Sequence, residues 1–338
     1  MSESAKPVVW GVLGVARIAT EKVVPGMLGA SNVEVRGIAS RDLDKARKAA
    51  AALGLAKAYG SYEELLADPE IEAVYNPLPN HLHVPWTIKA MDAGKHVLCE
   101  KPIALTAEEA EALVEARGRT GRLVAEAFMV RHHPQWLRAR EIARSGEIGE
   151  LRSVNVLFNY NNTDPANIRN RADIGGGALY DIGCYAVAAA RYFFAEEPRS
   201  VVALIDRDPA MKTDRLTSGL AEFGGGRQLV FSVSTQTSLY QRVQVLGDRG
   251  RVEIQVPFNP VPARASTLVV DDGRDVYGSG VRIEEFPPCD QYGLQGAAFS
   301  RAVRGEEALA FPLEDAIANM RVIDALFRSA RGGAWETV

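Results

Sequence analysis

Short apolar runs that stop at glycine, arginine or proline constrain this chain more than any other feature. Val8–Leu13 is unbroken and ends at Gly14, Val33–Ala39 ends at Ser40-Arg41, Ala73–Asn76 ends at Pro77, and His96–Cys99 gives way to Glu100, Lys101 and Pro102. Of these, an unbroken apolar run such as Val8–Leu13 fits a parallel strand buried on both faces. Between them lie helical stretches: Arg17 to Leu28, an alanine- and lysine-rich segment from Asp42 to Leu53, Ser61 to Ala67 behind a serine cap, and a helix through Met91 that Gly94 can stop. With Leu123–Ala125 as a sixth strand, residues 1–125 read as repeated β-α-β units.

In the stretch GKHVLCEKP, from Gly94 to Pro102, the proline bars the ladder bond that would lengthen the strand. Ligands of open α/β sheets bind beyond the carboxyl ends of the strands, so Glu100 and Lys101 are candidates to meet one. A surface ion pair flanking a strand end is the alternative. Pro77, Leu78 and Asn80 occupy the matching position after the fourth strand, with His83 just beyond them.

Gly14-Val15-Ala16-Arg17-Ile18-Ala19 is a degenerate dinucleotide fingerprint with Ala16 in place of the second glycine. Its setting, between a buried strand and a helix, predicts an N-terminal Rossmann dinucleotide-binding domain. At the end of the second strand, where NAD-binding chains carry an acid for the ribose hydroxyls, stand Ser40 and Arg41. A guanidinium suits a 2'-phosphate, so the pair favours NADP(H), with Lys45 as a further phosphate contact. Asp42 is the counter-argument, though a helix cap accounts for it.

Pattern changes after residue 125. Glu126 to His133 reads as a crossover, a helix follows from Pro134 to about Arg144, and Leu151–Phe158 alternates with period two. The polar loop Asn159 to Arg171 leads to Gly175-Gly176-Gly177 and a helix from Ala178 to Phe194. On that helix Asp181 and Tyr185 are four residues apart, which in an α-helix stacks them one turn apart. A surface aspartate beside a core tyrosine is the plainer reading. Alternating strands near Val201–Ile205, Ser218–Phe223, Arg227–Thr235, Arg242–Leu246 and Arg251–Val256, then helices Gln291–Arg304 and Leu313–Ala330, predict an α+β domain over 126–338 with a large, mainly antiparallel open sheet. Too few helices remain to cover both of its faces, which predicts a homodimer or homotetramer formed through it.

Several classes are disfavoured. The formal net charge of -4 and the lack of a basic aromatic stretch speak against nucleic acid. Cys99, Cys184 and Cys289 are too far apart for a zinc motif or a disulfide framework, and His132-His133 lacks the spacing of a metal pair, so no metal is expected. The short polar start MSESAKP and the absence of a long apolar stretch predict a cytoplasmic protein with no membrane partner.

The succession of fingerprint, GKHVLCEKP, EAFMVRHHP, Asn167-Ile168-Arg169, GGGALYDIGCY and Asp290-Gln291-Tyr292 resembles the glucose-fructose oxidoreductase and inositol dehydrogenase family, Gfo/Idh/MocA, over nearly the whole chain. Tyr185, where many members carry histidine, is similar to the branch of glucose-fructose oxidoreductase, aldose and xylose dehydrogenases and dimeric dihydrodiol dehydrogenases. The resemblance implies that Lys101, Tyr185 and Asp181 are catalytic and that Lys101, Arg169, Asp181 and Tyr185 meet the substrate. It also implies that Gly14, Ala16, Arg17, Ile18, Glu100, Lys101, His83 and Tyr292 belong to the cofactor site. A carbohydrate oxidised at C1 is the implied substrate; a cyclic polyol, a trans-dihydrodiol, or a nonenzymatic NADP-binding sensor are the alternatives. The chemistry is reasonable: an ammonium about 4 Å from a phenol, at an effective dielectric of about 20, favours the phenolate by roughly 4 kcal/mol, enough to make a tyrosine a usable base.

Overall fold

The computed structural model describes residues 6–338, which form two compact units. One takes the chain up to Met129 together with Asp290–Ile317, and the other takes Val130–Cys289 with Ala318–Val338.

In the first unit, strands β1 (Val8–Leu13), β2 (Val33–Ala39), β3 (Lys57–Tyr59), β4 (Ala73–Asn76), β5 (His96–Cys99) and β6 (Val124–Glu126) form one parallel sheet in the order β3-β2-β1-β4-β5-β6. Every residue of β1 and β4 is buried, as their unbroken apolar sequence requires. Order reverses between β1 and β4, so their carboxyl ends flank the switch point at which such sheets bind ligands. Asp42 and Ser61 cap the helices Leu43–Leu53 and Tyr62–Ala67. The helix Ala107–Thr120, capped by Thr106, and strand β3 were not assigned from the sequence.

Sequence placed 126–338 together, whereas the segment Asp290–Ile317 folds with the first unit. Its helix Gln291–Val303 supplies the partners that buried Trp10 requires: the indole N–H donates to Ser300 Oγ at 3.1 Å, and Phe299 lies 5.3 Å from the ring. Asn32 adds a bond to the Ala297 carbonyl.

The second unit is built on a nine-stranded sheet. Its strands are β7 (Leu151–Asn161), β8 (Ser200–Arg207), β9 (Asp214–Glu222), β10 (Gln228–Ser234), β11 (Gln236–Gly247), β12 (Arg251–Ile254), β13 (Ser266–Asp271), β14 (Val281–Phe286) and β15 (Glu336–Thr337). They lie in the order β14-β13-β12-β11-β7-β10-β9-β8-β15, antiparallel except where β10 runs parallel to β7. One face buries Val154, Val156, Phe158, Phe231 and Val243 against the helices Pro134–Ser145 and Cys184–Phe194, with Trp136 stacked on Phe193 at 5.7 Å. The other face leaves Leu157, Leu204, Leu220, Val230 and Ile283 in solvent.

Two helices differ from the sequence expectation at their first turns. The helix entered at Arg17 is a π turn over Ala19–Val23 before it becomes α over Val24–Leu28, and Val24 N–H reaches back to the Ala19 carbonyl. Pro25 explains it, because a proline has no N–H and its ring would press on the carbonyl four residues back, which a widened turn relieves. The helix entered at Ala178 is likewise π over Leu179–Gly183 and α over Cys184–Phe194. Here Gly183 leaves room for the Leu179 side chain, whose Cδ1 would stand 2.7 Å from a Cβ at 183. The Cys184 thiol takes up the Asp181 carbonyl at 3.7 Å.

Candidate active site

The groups singled out in the sequence divide between the units. In the first, the backbone turns at Gly14, where φ is +98° and a Cβ would come 3.0 Å from Leu78 Cδ2, so a side chain there would push Leu78 away. Gly14 N–H donates to the Ala39 carbonyl, which ties the fingerprint turn to the end of β2. Ala16 and Ile18 lie half-buried on the entry to the π turn, while Arg17 is exposed and paired with Glu21 one turn on. Ser40 is buried and accepts from Asp42 N–H, and Asp42 accepts from the amides of Asp44 and Lys45, so its carboxylate is a helix cap. Arg41 and Lys45 are exposed beside it, with the Arg41 guanidinium near the Tyr62 hydroxyl.

After β4, Pro77 and Leu78 are buried and Asn80 opens a short 3-10 turn. After β5, the Glu100 carboxylate accepts a 2.6 Å bond from the Tyr75 hydroxyl, and Lys101 follows half-buried. Tyr292 sits in the first turn of Gln291–Val303, capped by Asp290. Burial, reinforced by Glu100, raises its hydroxyl well above the usual phenol range.

His83 does not serve as expected. It is fully enclosed, with Nδ1 2.7 Å from the Pro102 carbonyl and Nε2 2.7 Å from the Leu78 carbonyl, so its ring clasps the loops after β4 and β5 and has no face left for a ligand. Burial pushes it down to about 4, Lys101 adds to the effect, and the two carbonyls pull the other way. The neutral imidazole has one N–H, which donates to one of the two carbonyls while the other ring nitrogen packs against the second, so the enclosed ring is a structural brace.

In the second unit, Asp181 lies within the π turn, so the simple one-turn stacking with Tyr185 does not apply. Its Oδ2 accepts from the Tyr160 hydroxyl at 2.6 Å and from Arg169 Nε at 3.1 Å. Burial and the Asp181 charge push the Tyr160 hydroxyl far up, so it stays a donor. Tyr185 is buried, its ring held by Phe158 at 5.8 Å edge-on and by Phe258 at 5.2 Å.

Sequence reasoning missed Tyr75 and Tyr160. A tyrosine in a buried aliphatic strand needs a partner for its hydroxyl, and that need pointed to Tyr75. Tyr160 continues the inward alternation of Val154, Val156 and Phe158 by one more step.

Residues 8–128 match the family described as "Oxidoreductase family, NAD-binding Rossmann fold", and residues 136–253 match the GFO/IDH/MocA C-terminal domain. The chain is 51% identical over 97% of its length to an uncharacterized oxidoreductase, ORF334, of Rhizobium meliloti, of which it covers 98%. It is 41% identical over 96% of its length to D-xylose 1-dehydrogenase (NADP(+)) 2 of Haloferax volcanii, again covering 98% of that protein. Among solved structures, the 3-ketoreductase KijD10 of Actinomadura kijaniata with NADP and TDP-benzene superposes with a TM-score of 0.89 at 29% identity, covering 96% of this chain and 98% of that one.

Proposed function

Because the chain belongs to the Gfo/Idh/MocA oxidoreductase family, we propose that it is an NADP-dependent dehydrogenase that moves hydride between the nicotinamide cofactor and C1 of a small aldose such as xylose or glucose. The observation that carries this reading is the end-to-end likeness to an NADP-dependent D-xylose 1-dehydrogenase.

This chain's own residues suit that cofactor. Gly14 keeps its turn free of a side chain, so the backbone of Gly14, Ala16, Arg17 and Ile18 can carry the pyrophosphate at the helix entrance. Ser40, Arg41 and Lys45 offer a hydroxyl and two exposed cations to a 2'-phosphate, while Asp42 turns its carboxylate to the Asp44 and Lys45 amides as a helix cap. Pro77, Leu78, Asn80, Glu100 and Tyr292 would hold the nicotinamide end. Bound there, the nicotinamide supplies the hydride acceptor or donor.

Tyr185 handles the proton: it takes the C1 hydroxyl proton in oxidation and returns it in reduction. The Lys101 ammonium favours the phenolate that does so. Asp181 accepts bonds from further sugar hydroxyls while Tyr160 and Arg169 fix its orientation, and Arg169 can donate to a hydroxyl oxygen. The exposed row Leu157, Leu204, Leu220 and Val230 on the second sheet serves as a subunit interface.

Adding D-xylose and D-glucose to purified protein with NADP should produce reduced nicotinamide, and much more slowly with NAD. No reduction with any aldose would contradict the reading. Light scattering should give a dimer or larger; a strict monomer at micromolar concentration would remove the interface.

A further inference from the structure

Asp214 opens β9 with its side chain 1% exposed, and no step above uses it. Its Oδ2 accepts a 2.6 Å bond from Leu179 N–H, at the entrance of the π turn that carries Asp181, and a 2.9 Å bond from Thr217 Oγ1. Its Oδ1 occupies the space where a Cβ at residue 177 would be, and Gly177 has φ of +119°, so the third glycine of the triplet is there to let this carboxylate in. Gly177 in turn bonds through its carbonyl to Asp181 N–H at 3.0 Å and through its own N–H to the Arg169 carbonyl at 2.8 Å. Carboxylate, glycine turn, Asp181 and Arg169 thus form one connected piece.

We propose that Asp214 is a positioning residue: its ionised carboxylate anchors the amide end of the π turn and so sets the orientation of Asp181 and Tyr185. This rests on the reading of those two as substrate-side groups. A charged acceptor at a helix amide end gains from both the hydrogen bond and the helix dipole, and protonation removes most of that gain.

Burial pushes Asp214 up to about 6, against the opposing pull of the Leu179 amide, the Thr217 hydroxyl and the Arg207 guanidinium on β8. Tyr160 on β7 feels the Asp214 charge but stays a neutral phenol. The sign separates positioning from stability. A carboxyl raised in the fold contributes stability at low pH that is lost as pH rises through about 6, so acidification across that range strengthens the fold through this group while it loosens the anchor.

The test follows the Leu179 amide resonance and the pH dependence of kcat in wild type, Asp214→Asn and Thr217→Val. In wild type the amide should titrate with a midpoint near 6, and kcat should fall below the same pH while NADP affinity holds. Asp214→Asn keeps an acceptor oxygen but cannot titrate, so the amide midpoint and the component of the limb near 6 should vanish, leaving the limb set by the Tyr185 base. Thr217→Val removes one donor to the charged form and should move both midpoints up by about half to one pH unit. Should Asp214→Asn fail to fold, Thr217→Val decides. A wild type without an acid limb near 6, an Asp214→Asn enzyme that keeps that component, or a Thr217→Val enzyme whose amide midpoint moves without the limb would each overturn the proposal. Full activity of Tyr185→Phe together with loss of that component in Asp214→Asn would instead sink the substrate-side reading of Tyr185 and leave Asp214 standing.

Discussion

The strand ends of the first unit and the π turn at Leu179–Gly183 in the second both hold polar groups in place, by opposite means. At the strand ends the backbone does the work: β4 and β5 stop side by side, Glu100 N–H bonds to the Asn76 carbonyl, and His83 clasps the two following loops through their carbonyls. Glu100 and Lys101 are therefore placed by sheet register, and the Tyr75 hydroxyl donates to the Glu100 carboxylate. At the π turn, side chains do the work. Asp181 is held by Tyr160 and Arg169, and the turn itself by Asp214. Register tolerates substitution of individual side chains, whereas a side-chain cluster fails when one member goes.

For binding, the larger contrast should come from the edge of the first unit, where Arg41 is proposed as a contact to the cofactor 2'-phosphate. Arg41→Ala should weaken NADP(H) by roughly 10- to 150-fold, the worth of a charge-assisted phosphate contact, and leave NAD(H) almost unchanged. Equal loss for both cofactors, measured by fluorescence titration, would remove Arg41 from the phosphate site and make the contrast one of backbone alone.

A smaller effect should come from the second cluster. Tyr160→Phe keeps the ring and removes the donor to Asp181 Oδ2, so kcat/KM for the sugar should fall about 10-fold while cofactor affinity stays fixed, since Tyr160 lies in the second unit. Unchanged sugar kinetics would show that the Tyr160 hydroxyl is not needed to orient the carboxylate.

The same contrast accounts for what the sequence disclosed. Strands β1, β4 and β5 could be read closely because a strand buried on both faces is a mainly apolar run with a hard stop at Gly14, Pro77 or Glu100, whereas β2, which exposes Glu34, was placed by the length of the β-α-β unit and its stop at Ser40. Asp42, Ser61 and Pro134 marked helix starts for equally local reasons. The π turns were invisible, because Pro25 and Gly183 are compatible with either a break or an ordinary helix until the packing around Leu179 is known. His83 looked like a ligand because its partners, the Leu78 and Pro102 carbonyls, are backbone atoms that no side-chain pattern announces. Asp214 gave no signal at all: an acid before an alternating strand is what a surface strand also shows, and only the fold brings it under Gly177. The helix Gln291–Val303 was found, but its return to the first unit depends on Trp10, nearly three hundred residues earlier, needing Ser300 and Phe299.

Tyr185→Phe separates the proton-transfer role proposed for the second unit from the packing of its ring. The ring stays packed between Phe158 and Phe258 while the hydroxyl alone is lost. With NADP and the preferred aldose, turnover should fall about 100- to 10,000-fold while NADP affinity is unchanged. Near-normal turnover in Tyr185→Phe would contradict the claim and leave the proton to a group outside this cluster.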